Sequence, residues 1–330
     1  MRHFRTDRLT CTITVWLLGA CAAFALAGQA LAQADWPKQP LRIVVGFAPG
    51  GGNDILSRLV AQKLSERLGQ AVVVENRPGA NGFIAAELVA RAPPDGYTMF
   101  SATTGTMVIA PAVYSKLPYD PLKSFAHVGI IAYSPLVLVV DAARGINSVS
   151  ELVAYTKANP DKSNYGSTSP LFTLPSELFK LKTGAKLEFI PFKGSQETAT
   201  AILNGQIIAS IIDPAPVLPH VKSGKMKLLA AAGSARYSDL PDTPTLRELG
   251  VDVVLDVFMG FVAPAGTPPP IIARLETEFA AIRKMPDIGE RLRAAGMPVG
   301  GGSAQEMTDT IVRELPVWSA VAKAANIKLD

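Results

Sequence analysis

Short runs of consecutive apolar residues recur along this chain, each followed by an amphipathic stretch. Runs such as Ile43-Val44-Val45 are apolar at successive positions, not at alternate ones. Strands of that kind are buried on both faces, as in parallel sheets covered by helices. The pattern predicts strands over 41–47, 71–75, 97–102, 128–132, 136–141, 187–192, 207–213, 227–232 and 253–263, with another around 164–166. Helices fall between them. Leu56, Leu59, Val60, Leu64 and Leu68 share one helical face, with Asn53 as the expected N-cap and Gly69 as the stop. Ser148-Val149-Ser150-Glu151 and Ser303-Ala304-Gln305-Glu306 are capping-box patterns. Asn159-Pro160 ends the first of those helices, and Pro316 is expected to kink the second. Regular strand–helix alternation points to α/β architecture with parallel sheets. Neither a repeat nor a low-complexity linker divides the chain.

The N-terminus has a different pattern. Arg2, His3, Arg5 and Arg8 precede a mostly apolar stretch over 13–31, and Ala30-Leu31-Ala32 has the small-x-small form that a signal peptidase cleaves after. Residues 1–32 are therefore read as a signal peptide, and the mature chain begins at Gln33. A retained anchor is the weaker alternative, because Gly19, Gly28 and Gln29 interrupt the apolar run and shorten it for a span. A lipoprotein anchored at Cys21 is the other alternative; the apolar residues after Cys21 favour the middle of a signal peptide. Both cysteines, Cys11 and Cys21, lie in this segment. The mature chain then has no disulfide, thiolate metal ligand or cysteine nucleophile.

Removing that segment takes three arginines and one aspartate from a chain of net charge +4, leaving +2. So even a balance gives no electrostatic case for nucleic acid or lipid as partner. The remaining 298 of 330 residues can form one large domain or two medium lobes.

Four loops after strands carry the candidate chemistry. The first, Phe47-Ala48-Pro49-Gly50-Gly51-Gly52-Asn53-Asp54, joins a buried strand to a helix N-terminus. Unpaired amides, the helix dipole and close backbone approach at glycine suit an anion there. A plain tight turn explains the same residues equally well. Asp54 in the first helical turn is read as complementing the dipole. The loop lacks the Gly-Lys-Ser/Thr of a phosphate loop, and its glycines lack dinucleotide spacing. The second loop, 101–106, contains Ser101, Thr103 and Thr104. The third contains Ser167, Thr168 and Ser169, followed by Thr173. The fourth is Lys193-Gly194-Ser195. Each is either a polar rim around a ligand or ordinary helix capping. Together they match the rule that open α/β sheets bind ligands beyond the carboxyl ends of their strands.

No catalytic constellation accompanies these loops. The mature chain has His127 and His220 as its histidines, both read as surface or packing residues, and no Gly-x-Ser-x-Gly elbow. Two isolated histidines without cysteine do not make a zinc site. Asp213 and Glu177 are the possible acid–base groups, with structural hydrogen bonding as the alternative for Asp213. No cofactor and no metal are expected.

A series of motifs then carries a family resemblance. They are Phe47-Ala48-Pro49-Gly50-Gly51 with Asp54 and Arg58, Val74-Glu75-Asn76-Arg77-Pro78-Gly79-Ala80, Pro94-Asp95-Gly96-Tyr97-Thr98 and Leu117-Pro118-Tyr119-Asp120-Pro121. Further along come Pro191-Phe192-Lys193-Gly194-Ser195, Gly224-Lys225, Leu240-Pro241-Asp242-Thr243-Pro244-Thr245 and Ala263-Pro264-Ala265-Gly266-Thr267-Pro268. From about Trp36 to its end the chain resembles the substrate-binding proteins of tripartite tricarboxylate transporters, also called the Bug family. The resemblance implies a type II, two-lobed periplasmic binding fold that closes like a flytrap, with a mainly parallel sheet in each lobe and strand crossovers as hinge. Lobe 1 would be 33–133 with 257–330, and lobe 2 would be 134–256, crossing near Tyr133-Ser134 and Asp256-Val257.

By the same resemblance the protein is not an enzyme. It would work in the periplasm as a monomer, capturing a small carboxylate for membrane permease subunits. The expected ligand-binding residues in lobe 1 are Phe47, Pro49, Gly50, Gly51, Gly52, Asn53, Ser101, Thr103 and Thr104. Those of lobe 2 are Ser167, Thr168, Ser169, Thr173, Gly194, Ser195 and Asp213, with Ser134 and Phe258 at the crossings. An orphan ligand sensor serving a membrane kinase and an exported α/β hydrolase are the alternatives. One departure bears on the ligand. The family's lobe-2 loop continues Tyr-Gly-Ser with glycines and often a histidine, where this chain has Ser167-Thr168-Ser169-Pro170-Leu171-Phe172-Thr173, and Phe258 stands where tryptophan is common. Fewer backbone donors and added aromatic side chains favour an aromatic or longer-chain acid over a compact one such as malate.

Overall fold

A computed structural model describes residues 36–237 and 239–329. The expected leader, 1–32, lies outside the described residues. The chain builds two five-stranded sheets. The first has the order β2 (Val72–Asn76), β1 (Leu41–Val45), β3 (Thr98–Thr103), β10 (Val257–Pro264), β4 (Phe125–Ser134). The second has the order β7 (Glu188–Pro191), β6 (Asn164–Ser167), β8 (Ala209–Ile212), β5 (Val137–Asp141), β9 (Met226–Ala231). The two orders are the same arrangement. In each, the fourth position is filled by a strand that has just crossed from the other lobe.

That crossing strand runs against its neighbours. β1 pairs with β2 and β3 in parallel, whereas β10 is antiparallel to both β3 and β4. β6 pairs with β7 and β8 in parallel, whereas β5 is antiparallel to β8 and β9. The sheets are therefore mixed, more so than uniformly apolar strands imply. A strand entering from the other lobe runs opposite to those already there.

The apolar runs are buried on both faces, as their composition requires. In β1, Ile43 and Val45 pack in the cluster that contains Leu56, Val60 and Leu64, while Val44 joins Phe100, Val108 and Trp318. Alternate residues of a strand point to opposite faces, so one run serves two cores. Truncating a fully buried leucine such as Leu64 to alanine costs about 2–5 kcal/mol.

Ten helices, α1 to α10 in chain order, cover the sheets among the described residues. Three bear on the site or on the expectations above. Helix α1 (Gly52–Leu68) ends at Gly69, whose φ of 67° is the left-handed stop that glycine permits. Its N-cap is Gly51 rather than Asn53, because Asn53 is already helical and turns its amide inward. Helix α4 (Val149–Ala158) is capped by the Ser148 hydroxyl, which accepts the Glu151 amide. Helix α10 (Ala304–Ala324) carries the full capping box of Ser303 and Glu306 and continues through Pro316 as a single helix. The predicted strand over 253–263 begins later, at Val257. The residues before it form the second crossing, where the Leu255 amide donates to Ala232 O at 2.7 Å.

Candidate functional site

Between the lobes lies a cavity of about 420 Å³. Its lobe-1 floor is the start of α1, and the sequence explains its shape. Gly50 has a φ of 84°, which a residue with a side chain adopts only under strain. The turn is held by Asp54, whose Oδ2 accepts the Gly50 amide at 2.9 Å and the Arg58 guanidinium at 3.0 Å. Asp54 Oδ1 accepts Asn76 Nδ2 at 2.8 Å, and Asn76 Nδ2 also lies 3.1 Å from Phe47 O. Burial alone would raise the Asp54 carboxyl, but the hydrogen bonds from Arg58, Gly50 and Asn76 outweigh it and hold the group below its ordinary value. Asp54 thus latches the glycine loop. The amides of the first α1 turn have no acceptor within the helix.

Of the expected site residues, Phe47, Gly51, Gly52, Asn53, Thr103, Ser134, Ser169 and Asp213 line the cavity. Asn53 does so with its side chain committed elsewhere. Its Oδ1 accepts the Ser101 hydroxyl at 2.7 Å and its Nδ2 donates to Ser101 O at 3.2 Å. Ser101 is fully buried in that network and does not reach the cavity. Thr103 Oγ1 accepts the Thr106 amide at 3.3 Å, which is the capping alternative realised in place.

The remaining expected residues lie off the cavity wall, each for a physical reason. Pro49 and Gly50 are exposed on the outer limb of the loop. Thr104 is buried at the crossing, where its hydroxyl accepts the Phe258 amide at 2.8 Å and donates to Asp256 O at 3.3 Å. Ser167 and Thr173 are turned toward each other, their hydroxyl oxygens 2.8 Å apart, and Thr173 donates to Ser169 O at 3.0 Å. Thr168 is half-buried beside them. Gly194 is the N-cap residue of α6 (Ser195–Leu203), and the Ser195 side chain acts to lower the Asp213 carboxyl. Phe258 is fully buried in the core. On β10 the neighbouring Val257 and Met259 line the cavity instead, because successive side chains of a strand alternate.

The residues that sequence reasoning missed are mostly apolar. Phe83, Ile109, Val113 and Tyr114 contribute from lobe 1, and Leu136 stands at the first crossing. Pro170, Leu171 and Phe172 come from the start of α5 (Pro170–Thr183) in lobe 2. Only the Pro-Leu-Phe stretch carried a sequence signal, as the place where glycines are missing. Asn81 also lines the wall, with its Nδ2 donating to the Tyr114 hydroxyl at 2.7 Å.

The lining contains no lysine, arginine or histidine and one acidic residue, Asp213. Positive potential therefore comes from helix N-termini and free amides rather than from side-chain cations. Asp213 is pushed above its ordinary value by burial, against the lowering effect of Ser195, and its Oδ2 is buried without a partner. His127 is away from this wall. One ring nitrogen lies 2.7 Å from Thr308 Oγ1 and the other 2.9 Å from Pro121 O, so both are engaged in packing. Glu177 accepts the Tyr165 hydroxyl at 2.6 Å and Lys180 Nζ at 2.8 Å, a structural pairing. Among the described residues no group of three or more His, Cys, Asp or Glu could hold a metal ion. No described helix is long and apolar enough to cross a membrane.

The family described as tripartite tricarboxylate transporter family receptor matches residues 56–327 of the chain. Protein BugT of Bordetella pertussis is 32% identical over 301 residues, spanning 89% of this chain and 91% of its own length. A solved structure of an R. palustris protein with adipate aligns at a TM-score of 0.76 and 35% identity, over 89% of this chain and 99% of that one. The structure of MatC from Rhodopseudomonas palustris with bound malate aligns at a TM-score of 0.71 and 28% identity, over 87% of this chain and 99% of that one.

Proposed function

The chain belongs to the tripartite tricarboxylate transporter family of receptors, and from that premise we propose that it captures a small organic carboxylate between its lobes and presents it to membrane permease subunits. Receptors of this family are periplasmic solute-binding proteins, not enzymes. In the proposal, residues 1–32 direct export and are cleaved after Ala32. Lobe 1 comprises 33–133 with 257–330, lobe 2 comprises 134–256, and the receptor acts as a monomer.

One observation carries the reading: the interlobe cavity is floored by Gly51 and Gly52 at the N-terminus of α1, a 17-residue helix. A carboxylate docked there meets free amides and the positive end of the dipole. Closure of lobe 2 brings Ser169 and the start of α5 over the ligand and excludes water, which strengthens each polar contact. A ligand that binds the closed form better shifts the population toward it. The apolar wall and the volume favour an aromatic or longer-chain acid.

The test is a thermal-shift panel on the purified receptor, followed by calorimetry. It would comprise adipate, hexanoate, phenylacetate, benzoate, malate and citrate. Stabilisation by the longer or aromatic acids is expected. Stabilisation by malate or citrate alone would refute the preference, and no response to any carboxylate would refute the carboxylate reading itself.

A further inference from the structure

Lobe 2 also places a carboxyl group on the cavity wall, that of Asp213. Helix α6 begins nearby in the fold at Ser195, whose side chain acts to lower the Asp213 carboxyl, though burial outweighs it. Asp213 is the one acidic residue of the lining, and no basic side chain faces it there. Its Oδ2 is buried and accepts no hydrogen bond.

We propose, resting on the carboxylate reading above, that Asp213 selects acids bearing a second group that donates hydrogen bonds, an ammonium or a hydroxyl, over acids bearing a second carboxylate. The ligand's carboxylate lies on the amides of Gly51 and Gly52 in lobe 1. Its donor reaches Asp213 across the cavity, in lobe 2. A buried carboxylate oxygen without a partner is costly, and a donor from the ligand removes that cost on binding. A second carboxylate adds like charge beside Asp213 in an apolar enclosure, where the repulsion is strongest. Rotation about the soft terminal torsion of aspartate exchanges the two carboxylate oxygens. Burial raises the Asp213 carboxyl above its ordinary value, in keeping with a site that lacks a compensating donor.

The experiment compares ligands of one chain length by calorimetry: hexanoate, 6-hydroxyhexanoate, 6-aminohexanoate and adipate. 4-Hydroxyphenylacetate and phenylacetate form an aromatic pair. The native receptor is expected to bind the amino and hydroxy acids at least tenfold more tightly than the matched acid without a donor and than adipate. In Asp213→Asn the advantage of 6-aminohexanoate falls at least tenfold and adipate gains. The melting temperature of the unliganded variant serves as the control for folding, and Ser195→Ala, which leaves the carboxylate in place, should retain the preference. Tighter binding of adipate than of 6-aminohexanoate by the native receptor, or an unchanged ranking in Asp213→Asn, overturns the inference while leaving the carboxylate reading intact. Failure of every carboxylate overturns both.

Discussion

The hydroxyl of Thr104 accepts the backbone amide of Phe258 at 2.8 Å, across 154 positions of sequence. It also donates to Asp256 O at 3.3 Å, so a single fully buried side chain ties the end of β3 to the strand that returns from lobe 2. Replacing Thr104 with valine keeps the shape and leaves the Phe258 amide unpaired. The expected loss is about 1–3 kcal/mol in urea unfolding. Thr104→Ser retains the oxygen and should recover most of it. Equal stability of the valine variant and the native chain would show that the bond contributes nothing.

Gly50 and Gly51 are adjacent but predict opposite outcomes. Gly51 has ordinary extended angles, and an added Cβ would meet Ala48 O at 3.6 Å, an ordinary contact. Gly51→Val should therefore fold normally and lose ligand, because its side chain occupies the cavity floor. Gly50 sits at φ 84° with open space around it. Gly50→Val should cost roughly 1–2 kcal/mol of stability through backbone strain. Melting curves and calorimetry on both variants separate the two effects. Native affinity in Gly51→Val would remove the loop from the site.

Glu314 on α10 supplies a pH dependence. Burial, with the Asp256 charge nearby, raises its carboxyl to about 7, partly offset by Arg313 and Trp318. Its Oε2 lacks a hydrogen-bond partner. Unfolded, the group ionises near its ordinary 4.5. Between those values the folded chain holds a proton that the unfolded chain has lost. The resulting stability is complete below 4.5 and is lost as pH rises through about 7. The displacement corresponds to roughly 3 kcal/mol at most. His127 acts in the opposite sense, since burial lowers it and it must charge on acidification. The informative measurement is therefore the difference between the native chain and Glu314→Gln at pH 5 and pH 8. The variant should be the more stable of the two at the higher pH; parallel pH profiles would contradict the assignment.

Ser303→Ala removes one half of the capping box in which the serine hydroxyl accepts the Glu306 amide at 3.1 Å and Glu306 accepts the Ser303 amide at 2.6 Å. A loss of about 1 kcal/mol is expected in chemical denaturation. Ser303→Asp should restore it, since aspartate also caps. An alanine variant as stable as the native chain would mean that tertiary packing alone sets the start of α10.

Local patterns made most of the fold legible. Successive apolar residues such as Ile43-Val44-Val45 mark strands buried on both faces, and Gly69 and Ser303 mark helix ends through chemistry confined to a few neighbours. The insertion of β10 between β3 and β4 depends on pairings such as Met259 with Thr103, which no local window contains. The site was legible in part for a different reason. A hydroxyl at a strand end looks the same whether it faces a ligand or closes a turn, so Thr104, Ser167 and Thr173 were indistinguishable from Thr103 and Ser169. Leu136 and Met259 were missed because a cavity wall and a core use the same apolar residues.

The place of β10 also sets an order in time. Strands β5 to β9 are contiguous, so the second lobe has all its strands once Ala231 has emerged. The first lobe begins earlier, but β3 and β4 have no common partner until Val257–Pro264 arrives between them. During synthesis, the half that starts first is therefore finished last. A chain cut short before β10 would leave two strand edges exposed, as templates for aggregation rather than as a stable half-receptor.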